Sequence, residues 1–112
     1  FGRLATHTGI DFRDPHGTPV RATGGGKVIT AGWNGGYGNM VEIDHGNGLT
    51  TRYAHLSAIL VSEDQKVEAG WIVGKLGSTG RSTGPHLHYE TRIDGNPVDP
   101  QRFLRAGAKL GG

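Results

Sequence analysis

At 112 residues the chain has the size of one domain, with room for a single core and not for two. Twelve Lys and Arg against ten Asp and Glu leave a formal net charge of +2 and a pI near 9.2. That basic excess is too mild for a nucleic-acid binder, and no basic patch is interleaved with aromatics. The absence of cysteine excludes disulfides, thiolate metal sites and cysteine nucleophiles, and no apolar run approaches membrane-spanning length.

The 21 glycines follow no fixed period and are scattered among Val, Ile, Tyr and Trp, a pattern of short strands joined by tight turns. GTPVRA (17 to 22) and GKVITAGW (26 to 33) read as the first strands, followed by the glycine-rich loop NGGYGN (34 to 39). MVEID (40 to 44) and LTTRYAHL (49 to 56) flank HGNG, a hairpin signal because Asn-Gly tolerates the positive φ of a tight turn. SAILVSEDQ is irregular, KVEAGWIVGKLG (66 to 77) is strand-like, and GSTGRSTGP (77 to 85) is a polar loop. HLHYETRI (86 to 93) is the last clear strand, with a DGNP turn behind it, and the tail QRFLRAGAKL is expected to form a short surface helix packed by Phe103 and Leu104. The expectation is one all-β domain over residues 1–112 with no internal linker. Because it opens with Phe, it is expected to be excised from a longer precursor whose export signal lies elsewhere.

Residues two apart in a strand share a face. His86, His88, Glu90 and Arg92 therefore line one side of the last strand, and Leu87, Tyr89, Thr91 and Ile93 the other, which can enter the core. The two imidazoles are then either a solvated strand face or a functional pair. By the same alternation Leu49, Thr51, Tyr53 and His55 share a face, with His55 at the strand's end. HTGID places His7 four residues before Asp11 in a loop entering a strand, where the small Gly9 lets the backbone bring both side chains together. Imidazole and carboxylate suit a divalent metal, zinc above all, although a plain histidine and a turn-capping Asp fit the same residues. His7, Asp11 and one member of the HxH pair would supply three ligands and leave a fourth tetrahedral position for water, as in a catalytic zinc site. His16 and His45 sit in turn sequences and are expected to be exposed and inert, and Asp14, Asp44, Asp94 and Asp99 read as turn acids.

HTGIDF, GTPVRAT, GWNGGYGN, RYAHLS and STGRSTGPHLHYE, in that order, resemble the lysostaphin-like (LytM-type) zinc peptidoglycan endopeptidases from about residue 6 to about residue 100. The character is that of Gram-negative murein endopeptidases more than of the staphylococcal glycyl-glycine enzymes. The resemblance implies a small antiparallel β fold with one zinc ion in a groove, bound by His7, Asp11 and His88, with His55 and His86 as catalytic histidines. Zinc there would polarise the scissile carbonyl and lower the pKa of water to roughly 7. Histidines with an ordinary pKa of about 6.5 suit the proton transfers and the stabilisation of the oxyanion. The glycine-rich loops would wall the groove, with Tyr37 and Asn39 as substrate contacts, and Glu90 either orients a ligand, pairs with an arginine or is a solvated acid. The implied substrate is a peptidoglycan peptide stem, with the D-alanyl–meso-diaminopimelyl cross-link as the bond cut. The implied location is the periplasm or cell envelope, and regulatory segments of the parent protein are expected partners. One departure is that only RLAT separates Phe1-Gly2 from His7, where family members have a longer segment that forms one groove wall.

Two other classes compete. Lysostaphin-like domains that have lost metal residues activate cell-wall amidases without catalysis, but all five of His7, Asp11, His55, His86 and His88 are present here. KVEAGWIVGKLG resembles the turn of biotinyl and lipoyl carriers and HTGID the phosphohistidine carrier of glucose phosphotransfer, yet neither accounts for an HxH accompanied by YAHL.

Overall fold

The computed structural model describes residues 3–6 and 8–100, residues 3 and 5 by backbone alone. Within them the β-branched and aromatic runs form β1 (Arg3–Ala5), β2 (Ile10–Phe12), β3 (Pro19–Arg21), β4 (Gly26–Trp33), β5 (Asn39–Gly46), β6 (Leu49–Ile59), β7 (Lys66–Val67), β8 (Ile72–Leu76), β9 (Leu87–Ile93) and β10 (Asn96–Val98). All strand pairs are antiparallel. The main path runs β1-β2-β9-β6-β5-β4-β7, with β10 beside β9, and β8 bridging β3 to β6. A 3-10 turn, Gly35–Tyr37, is the sole helical element among the described residues. The all-β antiparallel expectation is therefore met. The expected tail helix, residues 101–110, lies outside the described residues.

Alternation places Leu87 and Tyr89 of β9 inward against Ile10, Phe12, Tyr53, Val41 and Ile43, all buried in one apolar cluster with Val20, Val28, Leu56, Val73 and Leu76. Two tyrosine hydroxyls enter this core, and both are satisfied. Thr23 Oγ1 lies 3.0 Å from each of the Tyr53 and Tyr89 hydroxyls, and Thr51 Oγ1 lies 2.8 Å from that of Tyr53. His45 terminates the network at 2.7 Å from Thr51 Oγ1, its other ring nitrogen 2.8 Å from the Gly25 carbonyl. It is thus a half-buried member of β5 that ties β4's approach to β6, not the exposed turn residue expected. His16 is an exposed turn residue, as expected.

The HGNG hairpin forms as read, with positive φ at Asn47 (55°) and Gly48 (79°), the signature of a type I′ turn. KVEAGWIVGKLG splits into β7 and β8, and DGNP turns into β10, a strand the sequence did not announce because its central residue is proline at a sheet edge.

Strand β6 shapes the site. Its first half pairs with β9 as far as Ala54↔His88, and from Leu56↔Leu76 onward it pairs with β8 instead. At the change of partner His55 takes a left-handed backbone, φ 62°, and the β5 register skips from Val41↔Tyr53 to Asn39↔Leu56. The extra residue is a bulge, and it turns the next side chain to the other face. His55 therefore leaves the face of Tyr53, on which strict alternation had placed it, and joins the opposite one. Residues 77–86 span the fork between β8 and β9, closed by a bridge between Gly77 and His86.

Candidate active site

The register of β2 on β9 sets Asp11 directly opposite His88, and the side chains meet with Asp11 Oδ1 2.7 Å from His88 Nδ1. Gly9 makes this approach fit, because a Cβ there would collide with the Tyr89 carbonyl of β9. Two strand positions on, Glu90 is 0% exposed and its Oε2 lies 2.7 Å from His88 Nε2. Tyr37 donates its hydroxyl to the same oxygen at 2.9 Å, and Arg92 Nε donates to Oε1 at 2.8 Å. Burial alone would raise the Glu90 pKa, but bonds from His88, Arg92 and Tyr37 with the Arg92 charge pull it down to about 2. Burial works against a charged His88, and the bonds to Glu90 and Asp11 outweigh it, so its pKa stands above the ordinary value.

Carboxylates only accept, so in the metal-free ring both His88 nitrogens donate, Nε2 to Glu90 and Nδ1 to Asp11; a cation beside Asp11 would take the place of the Nδ1 proton, while Glu90 keeps the one on Nε2. Glu90 thus orients His88 and pairs with Arg92. The Tyr37 ring is held from its other side by Arg52, whose guanidinium carbon lies 5.2 Å from the ring centroid. Arg52 Nε is also 3.2 Å from Glu42 Oε1, an ion pair without a hydrogen bond, since the N–H points elsewhere.

The other two histidines face the same cleft, with the His55 and His86 ring centroids 4.6 Å apart and those of His55 and His88 6.1 Å apart. His55 Nδ1 donates to the Thr79 carbonyl at 2.6 Å, and His86 Nδ1 to the Gly84 carbonyl at 2.9 Å. Carbonyls accept only, so in both rings the neutral form has its lone pair on Nε2. His86 Nε2 lies 4.0 Å from Asp11 Oδ1, on the side where a cation would sit. Burial lowers the His55 pKa; the Thr79 carbonyl opposes it, and the neighbouring His86 and His88 add to it.

The cleft has a volume of about 570 Å³ and is lined by Asp11, His55, His86, His88 and Glu90, with Tyr37 and Gly36 on one wall and residues 81–83 on another. Asn39 is not among its lining residues: its Nδ2 donates to the Leu56 carbonyl and its N–H to Thr79 Oγ1, which steadies the loop that holds His55. Loops 34–39 and 77–85 meet backbone to backbone, where a Cβ on Gly38 or Gly80 would strike the opposite loop.

Asp11 and His88 are two of the three ligands expected from the sequence, and the third, His7, lies outside the described residues. Among the described residues no three His, Asp or Glu side chains form a complete metal site. The donor chemistry suits zinc: a carboxylate oxygen and an imidazole nitrogen converge, and the imidazole's far nitrogen is anchored on a buried carboxylate.

Residues 5–100 match the model of Peptidase family M23, and the chain belongs to that family of zinc metallopeptidases. It is 58% identical over 94 residues to the DD-carboxypeptidase/endopeptidase Mpg of Neisseria meningitidis serogroup B, covering 84% of this chain and 22% of that protein. It is 50% identical over 100 residues to the peptidoglycan DD-endopeptidase ShyA of Vibrio cholerae, covering 89% of this chain and 23% of that protein. Among solved structures, a zinc-containing peptidase from Vibrio cholerae superposes with a TM-score of 0.79 at 46% identity, over 82% of this chain and 28% of that one. The chain thus spans less than a quarter of the length of these curated relatives.

Proposed function

We propose that this chain is the catalytic domain of a longer cell-envelope protein that hydrolyses peptide cross-links of peptidoglycan, with the D-alanyl–meso-diaminopimelyl bond as its target. The observation that carries this reading is the convergence of Asp11 and His88 with two further histidines on one cleft. The names of the relatives, one a DD-carboxypeptidase/endopeptidase and one a peptidoglycan DD-endopeptidase, support the substrate class.

His7, Asp11 and His88 would hold one zinc ion, His88 through Nδ1. Zinc bound there supplies Lewis-acid polarisation of the scissile carbonyl and acidifies water to a pKa of roughly 7. His86, with its Nε2 lone pair on the Asp11 side, accepts the proton of the attacking water and returns it to the leaving nitrogen. His55, 4.6 Å away between ring centroids, shares this proton traffic and faces the developing oxyanion. The water's oxygen ends on the acyl carbon, and its proton on the released amine. The open cleft between the wall of Tyr37 and that of residues 81–83 receives the stem peptide.

The test is a digest of cross-linked muropeptides by the purified protein with and without a zinc chelator, the fragments read by mass spectrometry. Cutting that the chelator abolishes is expected. Dimers left intact under both conditions would remove the peptidase reading and revive a non-catalytic activator of amidases.

A further inference from the structure

The five arginines with described side chains divide by what their guanidinium groups bind. Arg21 donates to the Gly70 carbonyl, Arg52 lies against Glu42, and Arg92 donates to Glu90 and the Gly95 carbonyl. Arg13 and Arg81 make no hydrogen bond or ion pair through their side chains to any described residue. An exposed arginine without a partner is ordinary; what matters is that both of these line the catalytic cavities. Arg81 stands on the wall of the large cleft. Arg13 lines a second, more enclosed cavity of about 160 Å³ with Leu4, Thr83, Gly84 and Pro85.

Asp11 and His86 line both cavities, so the two meet at the reacting groups. A scissile bond placed there has its acyl side in one cavity and its amine side in the other. The smaller cavity holds roughly five water volumes, room for the α-carbon end of one residue and not for a whole stem. The larger, open cleft suits the rest of a stem. A carboxypeptidase, one of the activities in the name of the 58%-identical relative, releases a terminal residue that by definition carries a free α-carboxylate. Such a residue needs a small end-pocket and a cation, and a guanidinium fork matches a carboxylate in two parallel bonds.

We propose that the small cavity beyond Asp11 and His86 is the subsite for the residue whose amine is released, and that Arg13 reads that residue's free α-carboxylate. This deepens the peptidase reading and rests on it. The subsite selects substrates whose leaving residue ends in a carboxylate over those in which it is amidated or continues the chain through that carbonyl. Pro85 and Leu4 supply its apolar lining and Thr83 a second hydrogen-bonding side chain.

The test uses two probes, a stem pentapeptide ending in D-alanyl-D-alanine and the same peptide with a C-terminal carboxamide, each given to the zinc-loaded protein. The wild type should favour the free acid in kcat/KM by tenfold or more, the scale of one charge-assisted bidentate contact. Arg13→Gln should bring that ratio to near one by slowing the acid and not the amide, and Arg13→Lys should restore part of it. Arg81→Gln should change both peptides alike. A ratio unchanged by Arg13→Gln, or one lost in Arg81→Gln instead, overturns the assignment. Binding of D-alanyl-D-alanine and its amide, followed by NMR shifts at Thr83 and Gly84, reads the subsite without catalysis. If the wild type cuts neither peptide, the peptidase reading is decided by the digest of cross-linked muropeptides, while the subsite stands or falls on that binding difference.

Discussion

Glu90→Gln is the sharpest probe of how this fold prepares a metal ligand. Glu90 Oε2 accepts from His88 Nε2 at 2.7 Å and from Tyr37 at 2.9 Å, while Oε1 accepts from Arg92 Nε at 2.8 Å. A glutamine offers one oxygen and one NH₂ in their place, so one of these donors must face another donor. Arg92 cannot lose its proton, but His88 can give up the one on Nε2 and keep the one on Nδ1. The amide then turns its NH₂ toward His88, and the nitrogen beside Asp11 loses the lone pair a metal needs. Disrupting such a buried anchor weakens metal binding by about 10- to 100-fold, or about 1.4 to 2.8 kcal/mol. Competition between the protein and a chromophoric chelator measures the zinc dissociation constant directly. Tyr37→Phe, which keeps the ring and the carboxylate and deletes one donor, should lose less than tenfold. A folded Glu90→Gln protein that binds zinc within twofold of the wild type would refute the reasoning.

Three further outcomes follow from the same geometry. In the metal-free protein the Glu90 pKa is depressed from 4.5 to about 2, so its charge contributes stability that is fully present above pH 4.5 and lost as pH falls toward 2. Urea unfolding should therefore show a gap between wild type and Glu90→Gln on the order of 3 kcal/mol above pH 4.5, closing in acid; a gap independent of pH contradicts it. His55, whose pKa is lowered first of all by burial, should titrate below 6.5 in an NMR experiment on the metal-free protein, and a midpoint at or above that value counts against its environment as described. Gly9→Ala should destabilise the protein by about 1 to 3 kcal/mol and weaken zinc binding with it, because its Cβ meets the Tyr89 carbonyl and pushes β2, with Asp11, off β9; unchanged thermal unfolding would contradict this.

Much of the site was legible because it depends on patterns local to the chain. The alternation of β9 put His86, His88 and Glu90 on one face. The Asn47–Gly48 turn was equally local. Gly9, expected to let His7 and Asp11 meet, instead shows its use in the close approach of β2 to the Tyr89 carbonyl of β9, a contact that no local pattern announced. What alternation misplaced was His55, since its direction depends on β6 changing partner from β9 to β8, an event set by strands far apart in sequence. The joining of Tyr37 to Glu90, 53 residues apart, had no local signal, and neither did the link from His45 to the buried tyrosines. The split between His86 and His88 came from the family resemblance alone. The structure supplies a physical counterpart: a carboxylate behind one ring and a carbonyl behind the other.

The most direct test of that split is zinc content measured beside muropeptide cleavage for two single variants of the purified protein. His88→Ala should lose both the metal and the activity, whereas His86→Ala should keep most of its zinc and lose the cleavage. Equal loss of zinc in both variants would contradict the division into one ligand and one proton carrier.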